Sequence, residues 1–405
     1  SIFSRIRFWN FVSSALCSFS LFYFYTIDVA IKQVKGQNAG TVLSTGNNLG
    51  SNPRILIRST NWIGDAVMTT PAVMALRKNY PKAHISILAR PWVEPVFSGN
   101  PAVDEVISCG SIGRESSILE KIVLAKSLRN KKFDLALLFP NSFESALIAW
   151  LARIPRRVGY ATDARRLILT LPVSVPEDRR SKHEIFYYLN LVDHIGRLHS
   201  NTHSTNEAGR KEQPGLFLKV PAQGESGARQ ILAQMGLDQG ALLVGFNPGA
   251  AYGPAKCWPV EKFVSLGKAL VEHFKNCHIL VFGTDKEKSV AEDICGPVGE
   301  KGRNLAGKTS LAEAMGLISN LNLLVTNDSG LMHIGAALGV PLVAIFGSTN
   351  PVTTGPWSNN SIIIRHELPC SPCLKRSCPT DFKCLLGIEV EEVLQACLEQ
   401  IEFRN

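Results

Sequence analysis

Three short stretches of this chain place glycine and a charged side chain where an apolar run gives way to a helix. In the first, residues 59–65 (STNWIGD) follow the run RILIRS at 54–59. Gly64 allows a tight turn, and Asp65 stands where a helix begins. There a carboxylate either caps the helix or is presented to a ligand as a proton acceptor. In the second, residues 247–259 (NPGAAYGPAKCWP), small residues let backbone approach a ligand closely, and Lys256 supplies one compact positive charge. That combination suits a diphosphate. The third is Asp328, Ser329, Gly330 and His333, directly after the apolar run at 323–327. The first free N–H groups of a helix opening there form an anion site, and His333, one turn in, points at the same place.

Two further patterns have competing readings. Residues 302–309 (GRNLAGKT) satisfy the P-loop expression letter for letter. A phosphate-binding P-loop follows directly on a buried strand, whereas the residues before this stretch, 295–301 (CGPVGEK), cannot form one. Ser310 and Glu313 then have the spacing of a capping box, so the stretch reads as a structural turn before a helix. Cys370, Cys373, Cys378 and Cys384 crowd into fifteen positions with Pro, Lys and Arg between them. Only the first pair has the spacing of a tetrahedral metal site. A structural metal, reduced thiols beside a site and a disulfide all remain open. No D-x-D triplet is present to hold a divalent ion against a diphosphate, which favours neutralisation by protein groups.

Elements must position these residues. Strands are expected at 54–59, 84–90, 103–109 and 135–140, with helices over 65–79, 116–129 and 142–151 between and after them. Beyond a polar, aperiodic stretch at 199–215 the alternation restarts. Strands at 242–249, 278–283, 323–328 and 341–347 are interleaved with helices over 260–273 and from 285, 310 and 329. Strands alternating with helices mean parallel sheets, here two doubly wound α/β domains facing a cleft. The expected division is an apolar segment and linker over 1–53, domains at 54–210 and 211–388, and a terminal helix at 389–405. Ligands of such sheets bind at the carboxyl ends of the strands, where the candidate residues fall.

A hydrophobic fraction of 45% with 19% charged residues supports a sizeable core and excludes disordered and fibrous classes. The net charge is +9, unevenly spread: 27 basic and 16 acidic residues in 1–215 give +11, and 16 against 18 in 216–405 give −2. The halves therefore suit different ligands, the first an anionic one, unless the surplus is solvated surface. Arg153, Arg156, Arg157, Arg165 and Arg166 are candidate contacts. Ten cysteines, six of them scattered, fit a reducing compartment rather than a disulfide scaffold. Residues 11–27, aromatic and uncharged between Arg5, Arg7 and Lys32, Lys35, read as a membrane-surface or signal-anchor segment or as an extraneous leader. A flexible linker over 36–53 follows.

Taken together, the stretches STNWIGDAVMTTPAVMALRKNYP, LLFPNSFESALIAWLARIPRRVGY, FNPGAAYGPAKCWP, NLAGKTSLAEAMGLI, TNDSGLMHIGAALGVPLVAIFGSTNP and CSPCLKRSCP make the chain resemble the lipopolysaccharide heptosyltransferase family. Within it the likeness is greatest to the members that add the second heptose. The resemblance covers about residues 54–400 and leaves 1–53 outside. It implies a GT-B fold, with an acceptor domain first and a nucleotide-sugar domain second. It also implies inverting transfer of L-glycero-D-manno-heptose from ADP-heptose to the first heptose of the Kdo-lipid A inner core. No cofactor or metal would be required, nucleic acid would play no part, and the enzyme would sit peripherally on the cytoplasmic face of the inner membrane. Asp65 would be the general base and Lys256 the diphosphate ligand. Asp328, Ser329, Gly330 and His333 would hold diphosphate and heptose, and Asp285 would reach the adenosine ribose. A transferase adding the first or third heptose, a GT-B nucleotide-sugar epimerase and a non-catalytic nucleotide-binding protein are the alternatives.

Overall fold

The computed structural model describes residues 49–110, 116–199, 213–237 and 240–402. The apolar segment at 11–27 and most of the expected linker at 199–215 lie outside them. The first sheet comprises β1 (Arg54–Arg58), β2 (His84–Ala89), β3 (Glu105–Ser108), β4 (Leu135–Leu138), β5 (Arg156–Tyr160) and β6 (Leu171–Val173). The second comprises β7 (Leu242–Asn247), β8 (Cys277–Val281), β9 (Gly302–Asn304), β10 (Leu323–Asn327), β11 (Leu342–Ile345) and β12 (Ser361–Ile364). The strand orders are β3-β2-β1-β4-β5-β6 and β12-β11-β10-β7-β8-β9, the same doubly wound topology twice. The pairings are parallel, with Ile55 opposite Ile85 on one side and Leu135 on the other. Likewise Leu324 lies opposite Gly245 and Leu342. Helices cover both faces, so the central strands read as unbroken apolar runs rather than alternating ones.

The helices are α1 (Ile63–Met68), α2 (Thr70–Asn79), α3 (Ile118–Asn130), α4 (Phe143–Leu151), α5 (Glu184–His199), α6 (Ala222–Gln234), α7 (Val260–His273), α8 (Lys288–Val298), α9 (Leu311–Ile318), α10 (Gly330–Ala337), α11 (Pro351–Thr354), α12 (Lys383–Leu386) and α13 (Val390–Glu402). One helix was expected over 65–79, and two form. Pro71 in the first turn of α2 has no N–H to give to the carbonyl of Val67. The hydroxyl of Thr70 donates to that carbonyl instead (2.8 Å), and Thr69 Oγ1 serves Ala66 in the same way (2.7 Å). Strands β5, β6, β9 and β12 and helices α5, α6, α11 and α12 are elements beyond those expected. β5 opens on two arginines, β6 contains Pro172 and β9 is Gly-Arg-Asn, so none carries an apolar run.

One core layer joins the inner helices of both sheets, from Ile55, Val67 and Val73 through to Leu280, Met315 and Leu324. The outer face of the first sheet packs with α3 and α4, and that of the second with α7, α8 and α13. In each sheet the order reverses between two central strands, β1 and β4 in one and β7 and β10 in the other. At such a reversal the flanking connections diverge and leave a crevice at the strands' carboxyl ends. The three candidate stretches follow β1, β7 and β10.

Candidate active site

Helices α1 and α10, one from each half of the fold, meet at the crevice. Their approach depends on two glycines. A Cβ on Gly64 would stand 2.7 Å from Cδ2 of the His333 ring, and one on Gly330 would stand 3.1 Å from Cβ of Ile63. Between the halves lies a cleft of about 500 Å³, lined by Asp65, Lys256, Asp328, Ser329, Gly330 and His333. Six of the seven residues singled out in the sequence thus share one cavity. Asp285 does not line it. That side chain follows β8 and packs against Gly307, where a Cβ would fall 2.1 Å from its Oδ1.

Asp65 opens onto the cleft but is otherwise walled by protein. Burial, then the negative charges of Glu184 and Asp328, push its carboxyl up to about 6, against a downward pull from Lys256 and Arg179. A carboxyl in that range is ionised at neutral pH yet basic enough to take a proton. Trp62, which N-caps α1, makes no side-chain cap bond, and Asp65 is the acidic residue of the first turn.

Across the cleft, Nζ of Lys256 donates to Oδ2 of Asp328 at 2.5 Å, and Thr349 Oγ1 donates to the same oxygen at 2.7 Å. Asp328 is 4% exposed, so its charge rests on these partners. Ser329 N-caps α10 without a side-chain cap bond, and its hydroxyl accepts from Asn247 Nδ2 at 2.6 Å. The α10 N-terminus therefore keeps its leading amides toward the cleft. His333 is buried, and burial lowers its pKa to about 4, with Asp328 opposing the shift. Its ring is neutral at pH 7, and Nδ1 has no partner. The loop bearing Lys256 is fixed by Asn327, which accepts from the Trp258 N–H (3.1 Å) and donates to the Pro248 carbonyl (2.6 Å). This arrangement sets one basic carboxylate opposite a lysine and a helix N-terminus. It is suited to removing a proton on one side and stabilising a leaving anion on the other.

Residues 122–383 match the family model described as glycosyltransferase family 9 (heptosyltransferase). Lipooligosaccharide heptosyltransferase 2 of Haemophilus ducreyi is 34% identical over 321 residues, 77% of this chain and 88% of that one. Lipopolysaccharide heptosyltransferase 2 of Escherichia coli is 33% identical over 316 residues, with the same coverage. The solved structure of the E. coli ADP-heptose lps heptosyltransferase II superposes with a TM-score of 0.71 at 30% identity, covering 87% of this chain and 99% of that one. This chain belongs to glycosyltransferase family 9. The paired Rossmann-like sheets are those of a GT-B heptosyltransferase.

Several residues of this glycosyltransferase around the cleft were not among the sequence candidates. Trp62 and Trp92, both about half exposed, line its mouth, and the Trp92 indole donates to the Asn61 carbonyl at 3.1 Å. Tryptophans just after the ends of β1 and β2 were the available signal. Arg179 and Glu184, 3.0 Å apart, come from a charge-rich stretch indistinguishable in sequence from solvated surface. Near Asp285, the carboxylate turned toward the Lys256 loop is that of Glu287, which a Cβ on Gly249 would overlap. Glu287 also accepts from Thr284 N and Oγ1 (2.6 and 2.9 Å).

The remaining sequence candidates divide. Arg165 is fully buried, its guanidinium spent on the carbonyls of Pro140 and Tyr160 and the Ser145 hydroxyl, so it holds loops rather than a ligand. Arg157 bonds the carbonyls of Ile154 and Ile168. Arg153 and Arg166 are exposed. The stretch at 302–309 begins with edge strand β9, and the Ser310–Glu313 capping box opens α9. Cys370, Cys373, Cys378 and Cys384 line a second cavity of about 350 Å³ with free thiols. Among the described residues, no set of three or more His, Cys, Asp or Glu is arranged to hold a metal ion. The cysteine loop braces the Lys256 loop, with the Tyr252 hydroxyl donating to the Leu374 carbonyl (2.6 Å) and the Ala255 N–H to that of Arg376 (3.1 Å).

Proposed function

We propose that this glycosyltransferase moves L-glycero-D-manno-heptose from ADP-heptose onto the first heptose of the Kdo-lipid A inner core. The observation that carries the reading is the cleft itself: a carboxylate held near pKa 6 faces Lys256 and the α10 N-terminus. The choice of heptose step rests on similarity to relatives named heptosyltransferase 2. In this proposal 54–210 forms the acceptor domain and 211–388 the donor domain, with 389–405 as a terminal helix.

Asp65 accepts the proton of the acceptor hydroxyl as its oxygen attacks the anomeric carbon of the donor. The bond from that carbon to the diphosphate oxygen breaks, its electron pair leaves with ADP, and configuration at the carbon inverts. Lys256 and the leading N–H groups of α10 stabilise the negative charge that the diphosphate gains. Asp328 orients Lys256, while Ser329 and Gly330 open the helix at the diphosphate. His333, neutral, offers a hydrogen bond to the heptose rather than a charge. Asp285 and its turn neighbour Glu287 take the ribose end of the donor. The positive potential comes from protein groups, so the reaction needs no added cofactor. Such an acceptor is lipid-linked, and in this proposal the enzyme works peripherally on the cytoplasmic face of the inner membrane. No helix of the described residues is long and apolar enough to cross it.

Incubation with ADP-heptose and a panel of defined Kdo-lipid A acceptors bearing no, one or two heptoses, read by mass spectrometry, tests the reading. One added heptose on the mono-heptosyl acceptor alone is expected. Addition only to one of the other acceptors moves the enzyme to a different step, and turnover of donor without acceptor refutes transfer.

A further inference from the structure

Helix α3 is apolar on two opposite sides. Leu124, Ala125 and Leu128 face inward and pack against the outer layer of the first sheet. The opposite arc carries Ile118, Leu119, Ile122 and Val123, exposed to 60%, 74%, 36% and 66%. Four branched aliphatic side chains on two successive turns form a continuous patch, where scattered single residues would need no account. Farther along the same arc stand Lys126 and Arg129, followed by Lys132 just past the helix, all exposed. The acidic exception on this arc is Glu120, whose Oε2 is engaged by the Ser117 N–H (2.7 Å) in the capping box. The outer face of α3 is thus apolar in its first half and cationic in its second.

The position of this face matters as much as its composition. α3 follows β3, so its apolar end lies at the carboxyl edge of the first sheet, the edge that bears Asp65. A short chain of contacts joins the two places. Trp92 lines the cleft, the Arg90 guanidinium stacks over its ring at 4.7 Å, and Arg90 Nη1 donates to the carbonyl of Gly110 at 3.1 Å, shortly before α3.

We propose that the outer face of α3 docks on an anionic lipid bilayer, with Ile118, Leu119, Ile122 and Val123 entering the interface and Lys126, Arg129 and Lys132 meeting its headgroups. The inference rests on the reading of the acceptor as lipid-linked, and would bring the mouth of the cleft to the surface from which that acceptor projects. Apolar burial and attraction of cations to anionic lipid add in this geometry. A second copy of the chain fits the face less well. It would bury the cations of α3 against a surface whose one carboxylate is already engaged.

Hydrogen exchange of the full chain, with and without vesicles of phosphatidylethanolamine and phosphatidylglycerol, tests this directly at α3. That readout is independent of any other segment that holds the chain to the vesicle. Amides of 118–124 should slow by roughly tenfold or more on these vesicles, and much less on phosphatidylcholine alone. The combined variant Ile118→Ser, Leu119→Ser, Ile122→Ser, Val123→Ser should lose the slowing, yet keep its circular dichroism and its turnover of a deacylated, water-soluble acceptor. Lys126→Gln with Arg129→Gln, which leaves the apolar patch intact, should lose the preference for the anionic vesicles. Unchanged exchange at α3 in vesicle-bound protein overturns the proposal. Slowing that appears on raising protein concentration without vesicles assigns the face to a second copy and also overturns it. Failure of the deacylated acceptor to react in the wild type would instead count against the proposed function.

Discussion

Replacing Asp65 by Asn separates the charge of this side chain from its shape. Moving a carboxyl from its ordinary 3.8 to about 6 means that the folded protein disfavours the ionised form by about 3 kcal/mol. The folded state therefore binds the Asp65 proton more tightly than the unfolded state does. Between about pH 4 and pH 6 the folded chain carries more of that proton, so stability falls as pH rises through this window. Above it the full cost of the buried charge is present. Asp65→Asn removes that cost and should raise stability at about pH 8 by up to about 3 kcal/mol, with little gain at about pH 4. Activity should move the other way. General-base assistance is worth about 10²–10⁴-fold, so kcat should fall by on the order of 10² or more while affinity for ADP-heptose stays close to wild type. In the wild type, kcat/KM should decline about tenfold per unit below about pH 6, as Asp65 of the free enzyme protonates. Thermal melts at the two pH values, isothermal titration with the donor and a pH–rate profile supply the three readings. A folded Asn variant that keeps more than roughly a tenth of wild-type kcat shows that the base lies elsewhere. Equal melting shifts at both pH values refute the assignment of the raised pKa.

Other perturbations probe the opposite wall and the misleading motifs. Lys256→Ala leaves the buried Asp328 carboxylate with the Thr349 hydroxyl as its one side-chain donor among the described residues. It should cost about 3–5 kcal/mol in denaturant melts and weaken donor binding. Gly64→Ala pushes a methyl group against the His333 ring, and a displacement of that order should lower kcat about 10²-fold in steady-state assays with the fold retained. Lys308→Ala should leave ADP affinity unchanged in titration calorimetry, because Lys308 lies in the turn between β9 and α9; a collapse in binding would restore the P-loop reading. EDTA should change turnover by less than about twofold, since in the proposed mechanism Lys256 and α10 supply the positive potential at the leaving group.

How much of this was legible without coordinates follows from where the information resides. The central strands announce themselves because a parallel sheet covered on both faces needs unbroken apolar runs. Their carboxyl ends then mark the site, since a crevice opens wherever the strand order reverses. Asp65, Lys256, Asp328, Ser329, Gly330 and His333 were found that way, and they share one cavity although more than 260 positions separate the first from the last. Edge strands such as β9 escape because one buried face, or none, leaves no pattern in three residues. Arg179 and Glu184 escape for a different reason. Their influence on Asp65 is electrostatic and acts through space, so nothing local in the sequence encodes it. The arginines of 153–166 show the converse. Composition marks them as a basic cluster, yet Arg165 is consumed by backbone carbonyls inside the fold, and only the folded chain distinguishes it from exposed Arg166. Sequence thus reveals groups that a strand end must present. It stays silent on how neighbours from distant segments set their charge, and in the proposed mechanism that setting lets Asp65 act as a base rather than a cap.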